Sequence, residues 1–97
     1  MKITKTQSGE ALVIALEGRL DTTTAPELEA EVKQLEGITD LTLDFEKLEY
    51  VSSAGLRVLL AAQKTMNKQG SMVIKNVIPD IKEVFEITGF SDVLTVL

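Results

Sequence analysis

Polar and apolar residues alternate over residues 2–5, and beyond Gln7-Ser8-Gly9-Glu10 they give way to an unbroken apolar run over 11–16. Ser-Gly supplies turn chemistry, so the two segments predict a β-hairpin. The half-polar first strand suits a sheet edge, whereas the second, apolar on both sides, predicts an interior strand covered on both faces. Ala25, Leu28, Val32 and Leu35 then recur at helical spacing, with Glu29, Lys33 and Glu36 on the opposite side. Thr24 and Glu27 stand at capping-box spacing, Pro26 fits a first turn and Gly37 supplies a stop, which bounds this first helix.

Alternation returns at residues 41–45, a third strand, and residues 46–51 carry the chain to Ser52 and Ser53. A second helix is expected over 54–69. Leu56, Leu59, Leu60, Gln63 and Met66 mark one face of it, and Val58, Ala61 and Ala62 widen the apolar surface, so most of this helix must be packed. Residues 71–75 form a short apolar-centred strand. Ile78, Ile81, Val84, Phe85 and Thr88 give a last helix, with Pro79 near its first turn and Gly89 at its end, and residues 93–96 read as a final strand. The order predicts an α/β fold with one domain over residues 1–97: a small mixed β-sheet with an N-terminal hairpin, about three to four packed helices, and cover on both sheet faces.

Composition narrows what such a domain can do. A chain of 97 residues with 44% hydrophobic and 26% charged residues can bury one core and leaves little for a disordered arm. Ten basic residues against fifteen acidic ones, a net charge of −5, argue against nucleic acid or an anionic membrane surface as the main ligand. The absence of Cys and His removes thiol nucleophiles, disulfides, the usual zinc sites and every serine triad with a His base. No apolar run reaches the length of a membrane span, and the N-terminus has no leader pattern, so a cytoplasmic protein without membrane insertion is expected.

The chemistry concentrates where strands exit into helices. Asp21-Thr22 and Ser52-Ser53 both lie at such exits, and Ser53 falls where free backbone N–H groups and a positive helix end converge. Read locally, Ser53 is either a plain helix cap or a site that accepts phosphate. Gly55 permits close approach of a partner or close packing of the helix on the sheet. Thr24 is explained by capping, whereas Thr22 and Thr23 can line the same surface as Asp21. Tyr50 fits core packing with an exposed hydroxyl. With no Walker-type loop, no Gly-x-Gly-x-x-Gly and no metal cluster, the chain reads as a substrate of catalysis and not as an enzyme, and it needs no cofactor of its own.

Gly18-Arg19-Leu20-Asp21 ahead of a Pro-containing helix, and Tyr50-Val51-Ser52-Ser53-Ala54-Gly55-Leu56-Arg57 after a strand, together resemble the STAS domains of bacterial anti-sigma factor antagonists. The similarity extends to Pro79 and to Thr88-Gly89-Phe90, and so covers nearly the whole chain. It implies a partner switch in transcription regulation: the antagonist binds an anti-sigma factor that is also a serine kinase, a sigma factor is released, and phosphorylation of one serine ends the binding. A serine phosphatase resets the switch, and ATP and magnesium belong to the kinase.

Matched residue by residue, the resemblance places the phosphoacceptor at Ser53 and the partner-binding surface at Asp21, Thr22, Thr23, Ser52, Ala54, Gly55 and Arg57. Ser52 stands where the family often has Asp, and Ala54 where it often has Ser or Thr. Phosphorylation would add about −1.5 to −2 charges at a helix start that tolerates an anion, so it would oppose a carboxylate-bearing partner without unfolding the domain. Two other readings stay open: an unphosphorylated STAS interaction subunit of a transporter or signalling assembly, and a sensor binding a nucleotide or anion at the same helix start. Monomer and weak dimer are equally compatible with the sequence.

Overall fold

A computed structural model describes all residues, 1–97. The hairpin forms as expected: β1 (Lys2–Ser8) and β2 (Ala11–Leu20) pair antiparallel around Gly9-Glu10. Helix α1 (Ala25–Val32) leads to β3 (Asp40–Val51), helix α2 (Ser53–Asn67) to β4 (Ser71–Lys75), and helix α3 (Pro79–Thr88) to a short 3-10 turn at Phe90–Asp92. The four strands lie in sequence order, β1-β2-β3-β4, with both β2–β3 and β3–β4 parallel. Because β2 is flanked on both sides and β1 on one, the edge and interior assignments follow from polarity as read.

The helices cover one face of the sheet only. Leu12, Ile14 and Leu16 of β2, Leu41, Leu43 and Phe45 of β3, and Met72 and Ile74 of β4 point into a single cluster. Leu28 of α1, Leu59 and Met66 of α2, and Ile81 and Phe85 of α3 belong to that same cluster. On the opposite face Val13, Ala15, Thr42, Asp44, Val73 and Lys75 remain half-buried, which corrects the expectation of cover on both sides. The apolar run over residues 11–16 misled because its outward members are Val and Ala. Side chains that small lose little by meeting water among threonines.

Four boundaries also differ from expectation. β3 runs unbroken through residues 46–51, its register against β2 shifting between Ala15 and Glu17 and again between Gly18 and Arg19, so Leu48 and Val51 still reach the core. α1 stops at Val32, and successive turns then bring Leu35 and Ile38, on either side of Gly37, into the core ahead of β3. Thr24 forms no capping box: its hydroxyl donates to the Arg19 carbonyl at 2.7 Å and accepts the Asp21 N–H at 2.8 Å. The final strand shrinks to one parallel bridge between Ile74 and Val96, since the 3-10 turn consumes the chain as far as Asp92 and Leu94 is drawn into the core.

Candidate functional site

The parallel pairing of β2 and β3 brings the two sequence motifs together. Leu20 and Val51 are register partners at the last rung, and the Ser52 N–H donates to the Leu20 carbonyl at 2.8 Å. The next residues are Asp21 on one strand exit and Ser52-Ser53 on the other, so both loops open on the same end of the sheet.

At the β3 exit the two serines divide the work. Ser52 is extended, with φ −91° and ψ 175°, and its Oγ accepts the Gly55 N–H at 3.3 Å. Ser52 is therefore the helix cap, which corrects the reading of Ser53 as a cap. Spacing could not choose between the two serines, because each has a backbone N–H three residues on; the extended backbone of Ser52 decides it. Ser53 is the first residue of α2, is exposed and makes no hydrogen bond through its hydroxyl within the chain. Asp and Ser both cap helices well, so Ser52 in the place of the family's usual Asp keeps the cap while removing one negative charge.

At the β2 exit the Asp21 carboxylate organises its loop. Its Oδ1 accepts the Thr23 hydroxyl at 2.8 Å and the N–H groups of Thr23 and Thr24 at 3.0 and 3.2 Å. The Thr23 hydroxyl does most to hold this carboxyl below the ordinary range; partial burial opposes it, and the Thr24 and Thr23 N–H groups add to the lowering. Thr22 and Thr23 are exposed beside it. Arg19 approaches the other carboxylate oxygen at 3.7 Å and lies over the Tyr50 ring, 4.2 Å from its centroid. This Arg19–Tyr50 stack escaped the sequence reading, because it depends on a cross-strand register that two bulges shift.

Sequence reasoning also missed a groove of about 580 Å³ between α1 and α2. Ala25, Val32 and Val58 are its buried floor, and Thr22, Ala54 and Arg57 stand among its lining residues nearest the strand exits. It is lined by residues of the expected surface from both loops. Arg57 is exposed and forms no ion pair, hydrogen bond or cation–π contact, in contrast to Arg19. Gly55 is not on this surface; it is buried against Leu20. No three acidic side chains converge where a metal ion could be held, and no helix is long and apolar enough to cross a membrane.

A family model, STAS domain, matches residues 2–97. The chain belongs to the STAS domain family. Over 99 residues it is 37% identical to BtrV of Bordetella bronchiseptica, a protein named as an anti-sigma factor antagonist, covering 99% of this chain and 85% of BtrV. It is 29% identical to the anti-sigma-B factor antagonist of Staphylococcus aureus, covering 99% of this chain and 92% of that protein. The structure of the anti-sigma factor antagonist SpoIIAA in its unphosphorylated form superposes with a TM-score of 0.78 at 20% identity, over 99% of this chain and 87% of SpoIIAA. The phosphorylated form of the Bacillus SpoIIAA superposes with a TM-score of 0.77 at 21% identity, over 99% of this chain and 91% of that one. These likenesses bear out the fold class, including the mixed sheet.

Proposed function

We propose that this chain is an anti-sigma factor antagonist that binds a serine-kinase anti-sigma factor and releases a sigma factor, and that phosphorylation of Ser53 ends the binding. The carrying observation is the division of labour at α2: Ser52 holds the cap, and the Ser53 hydroxyl is left exposed and without a partner. A kinase can engage that oxygen without first breaking a native hydrogen bond. The phosphate it leaves sits at a helix N-terminus, where an anion gains about 0.3–1 kcal/mol at an exposed site. The domain therefore stays folded, and the new charge acts on the partner, with Asp21 at the neighbouring strand exit reinforcing the repulsion of carboxylates.

In this reading the chain is a binding module and a phosphate acceptor, ATP and magnesium are held by the kinase, and a serine phosphatase restores the free hydroxyl. Incubation with the kinase and ATP should add one phosphoryl group by mass to the parent chain and none to Ser53→Ala. Phosphorylation of Ser53→Ala at the parent's rate would remove Ser53 from the acceptor role. Ser53→Asp should weaken kinase binding; if it binds as the parent does, the chain is an unregulated interaction subunit.

A further inference from the structure

The free cation of the α1–α2 groove, Arg57, stands one helical turn beyond Ser53. Residues four apart on a helix are surface neighbours, with Cβ atoms about 5–6 Å apart, so Arg57 and Ser53 share one stripe of α2. The groove's other cation, Lys33, is already engaged with Glu29 on α1 at 3.4 Å. Arg57 thus carries the one uncompensated positive charge of the groove, on a chain of net charge −5. From Ala54 to Thr65 the α2 wall rises about 17 Å, enough to seat about three turns of a partner helix against the apolar floor.

We infer that Arg57 is the electrostatic element of the switch: unphosphorylated, it pairs with a carboxylate on an acidic helix of the kinase lying in the α1–α2 groove, and a phosphate on Ser53 captures it. This rests on the proposed role of Ser53 and adds how the signal is transmitted. An arginine fork binds carboxylate and phosphate with the same donors, and the phosphate, while it is on Ser53, is held one turn away on the same helix. The incoming partner then loses its cation and meets an added negative charge. Arg19 does not take this part, being stacked on Tyr50 and turned to Asp21.

Two measurements test the inference. In a chain carrying phosphoserine at position 53, phosphorus NMR should give a second phosphate ionisation below the usual value of about 6, returning toward it in Arg57→Gln. Titrations that overlay in the two chains would overturn the capture step. Calorimetry against each serine-kinase anti-sigma factor of the source organism, loaded with ADP and magnesium, should show Arg57→Gln weakening binding about tenfold or more, with Arg57→Lys retaining most of it. Ala61→Glu, which fills the groove from its exposed rim with a side chain that repels an acidic helix, should weaken binding comparably.

The phosphate should then weaken Arg57→Gln much less than the parent, because its effect runs through the missing cation. Equal losses in both backgrounds, or undiminished binding by Ala61→Glu, would overturn the inference and leave Ser53 as the acceptor. A parent whose affinity ignores the phosphate, or that binds none of the kinases, would overturn both. Self-association that Ala61→Glu dissolves would give the groove to a second copy of this chain and also overturn it.

Discussion

Gly55 is packed onto Leu20 so closely that a Cβ built on the glycine would lie 2.7 Å from Leu20 Cγ and 3.0 Å from the Leu20 carbonyl oxygen. Leu20 is fully buried, and its carbonyl is already bonded to the Ser52 N–H, so neither atom can withdraw without parting α2 from β2. This contact places the start of α2, and Ser53 with it, against the sheet. Gly55→Ala should gain about 1 kcal/mol in helix propensity and lose about 1–3 kcal/mol to overpacking. Urea unfolding should record a net loss of stability, and a more stable variant would show that the contact is soft.

Ser52 and Ser53 should separate cleanly by mutation. Ser52→Ala removes the oxygen that accepts the Gly55 N–H, and it should cost about 0.5–1 kcal/mol, the lower part of the range for a cap, since the bond is 3.3 Å long. Ser53→Ala removes an exposed hydroxyl with no partner in the chain and should leave stability within about 0.5 kcal/mol of the parent. Paired denaturation curves measure both, and a larger loss from Ser53→Ala would return the cap to that residue.

The Asp21 loop should register acid. Its carboxyl titrates below the ordinary value in the folded chain, chiefly through the Thr23 hydroxyl, and near about 3.9 when unfolded. The ionised group therefore adds stability that is fully present above about pH 5 and is lost as pH falls through the unfolded and then the lower, folded value. Thr23→Ala should raise the Asp21 carboxyl toward the ordinary range by carbon-detected NMR titration and flatten the acid limb of the stability profile. Asp44 provides the control: its carboxyl is held low mainly by the Asn76 side chain on the open sheet face, and Thr23→Ala should leave it unchanged. A Thr23→Ala chain in which Asp21 does not move would place the cause elsewhere.

Period and punctuation were enough to read the hairpin, the edge strand, three helices and the serine pair at a strand exit, because each is written in neighbouring residues. What escaped was set by residues distant in sequence. The open sheet face depends on Val13 lying in register with Thr42 and Val73, and Ala15 with Asp44 and Lys75, across three strands, and no single strand records that. The Arg19–Tyr50 stack depends on bulges, and the free Arg57 on α1 and α2 leaving a groove between them. Thr24 and Glu27 had the spacing of a capping box, yet the Asp21 carboxylate three residues earlier reached the Thr23 and Thr24 N–H groups and left the Thr24 hydroxyl to bond the Arg19 carbonyl. A local pattern gave way to a stronger acceptor nearby.

Gln63 stands among the leucines of α2 where the pattern alone would have put another apolar residue. It is the one buried polar side chain, 5% exposed, and although its Nε2 donates to Asn67 at 2.9 Å, its Oε1 is buried with no donor. An acceptor stripped of water and left without a partner costs about 1–3 kcal/mol, more than a single bond to an exposed asparagine restores. Leu has nearly the volume of Gln, a better helix propensity than most and no polar atom to bury. Gln63→Leu should therefore raise stability by about 1 kcal/mol, read as a higher urea midpoint at unchanged slope. A destabilised Gln63→Leu would mean that Oε1 is satisfied in solution, by water or by a turned amide, and that the bond to Asn67 holds the end of α2 more firmly than its exposure suggests.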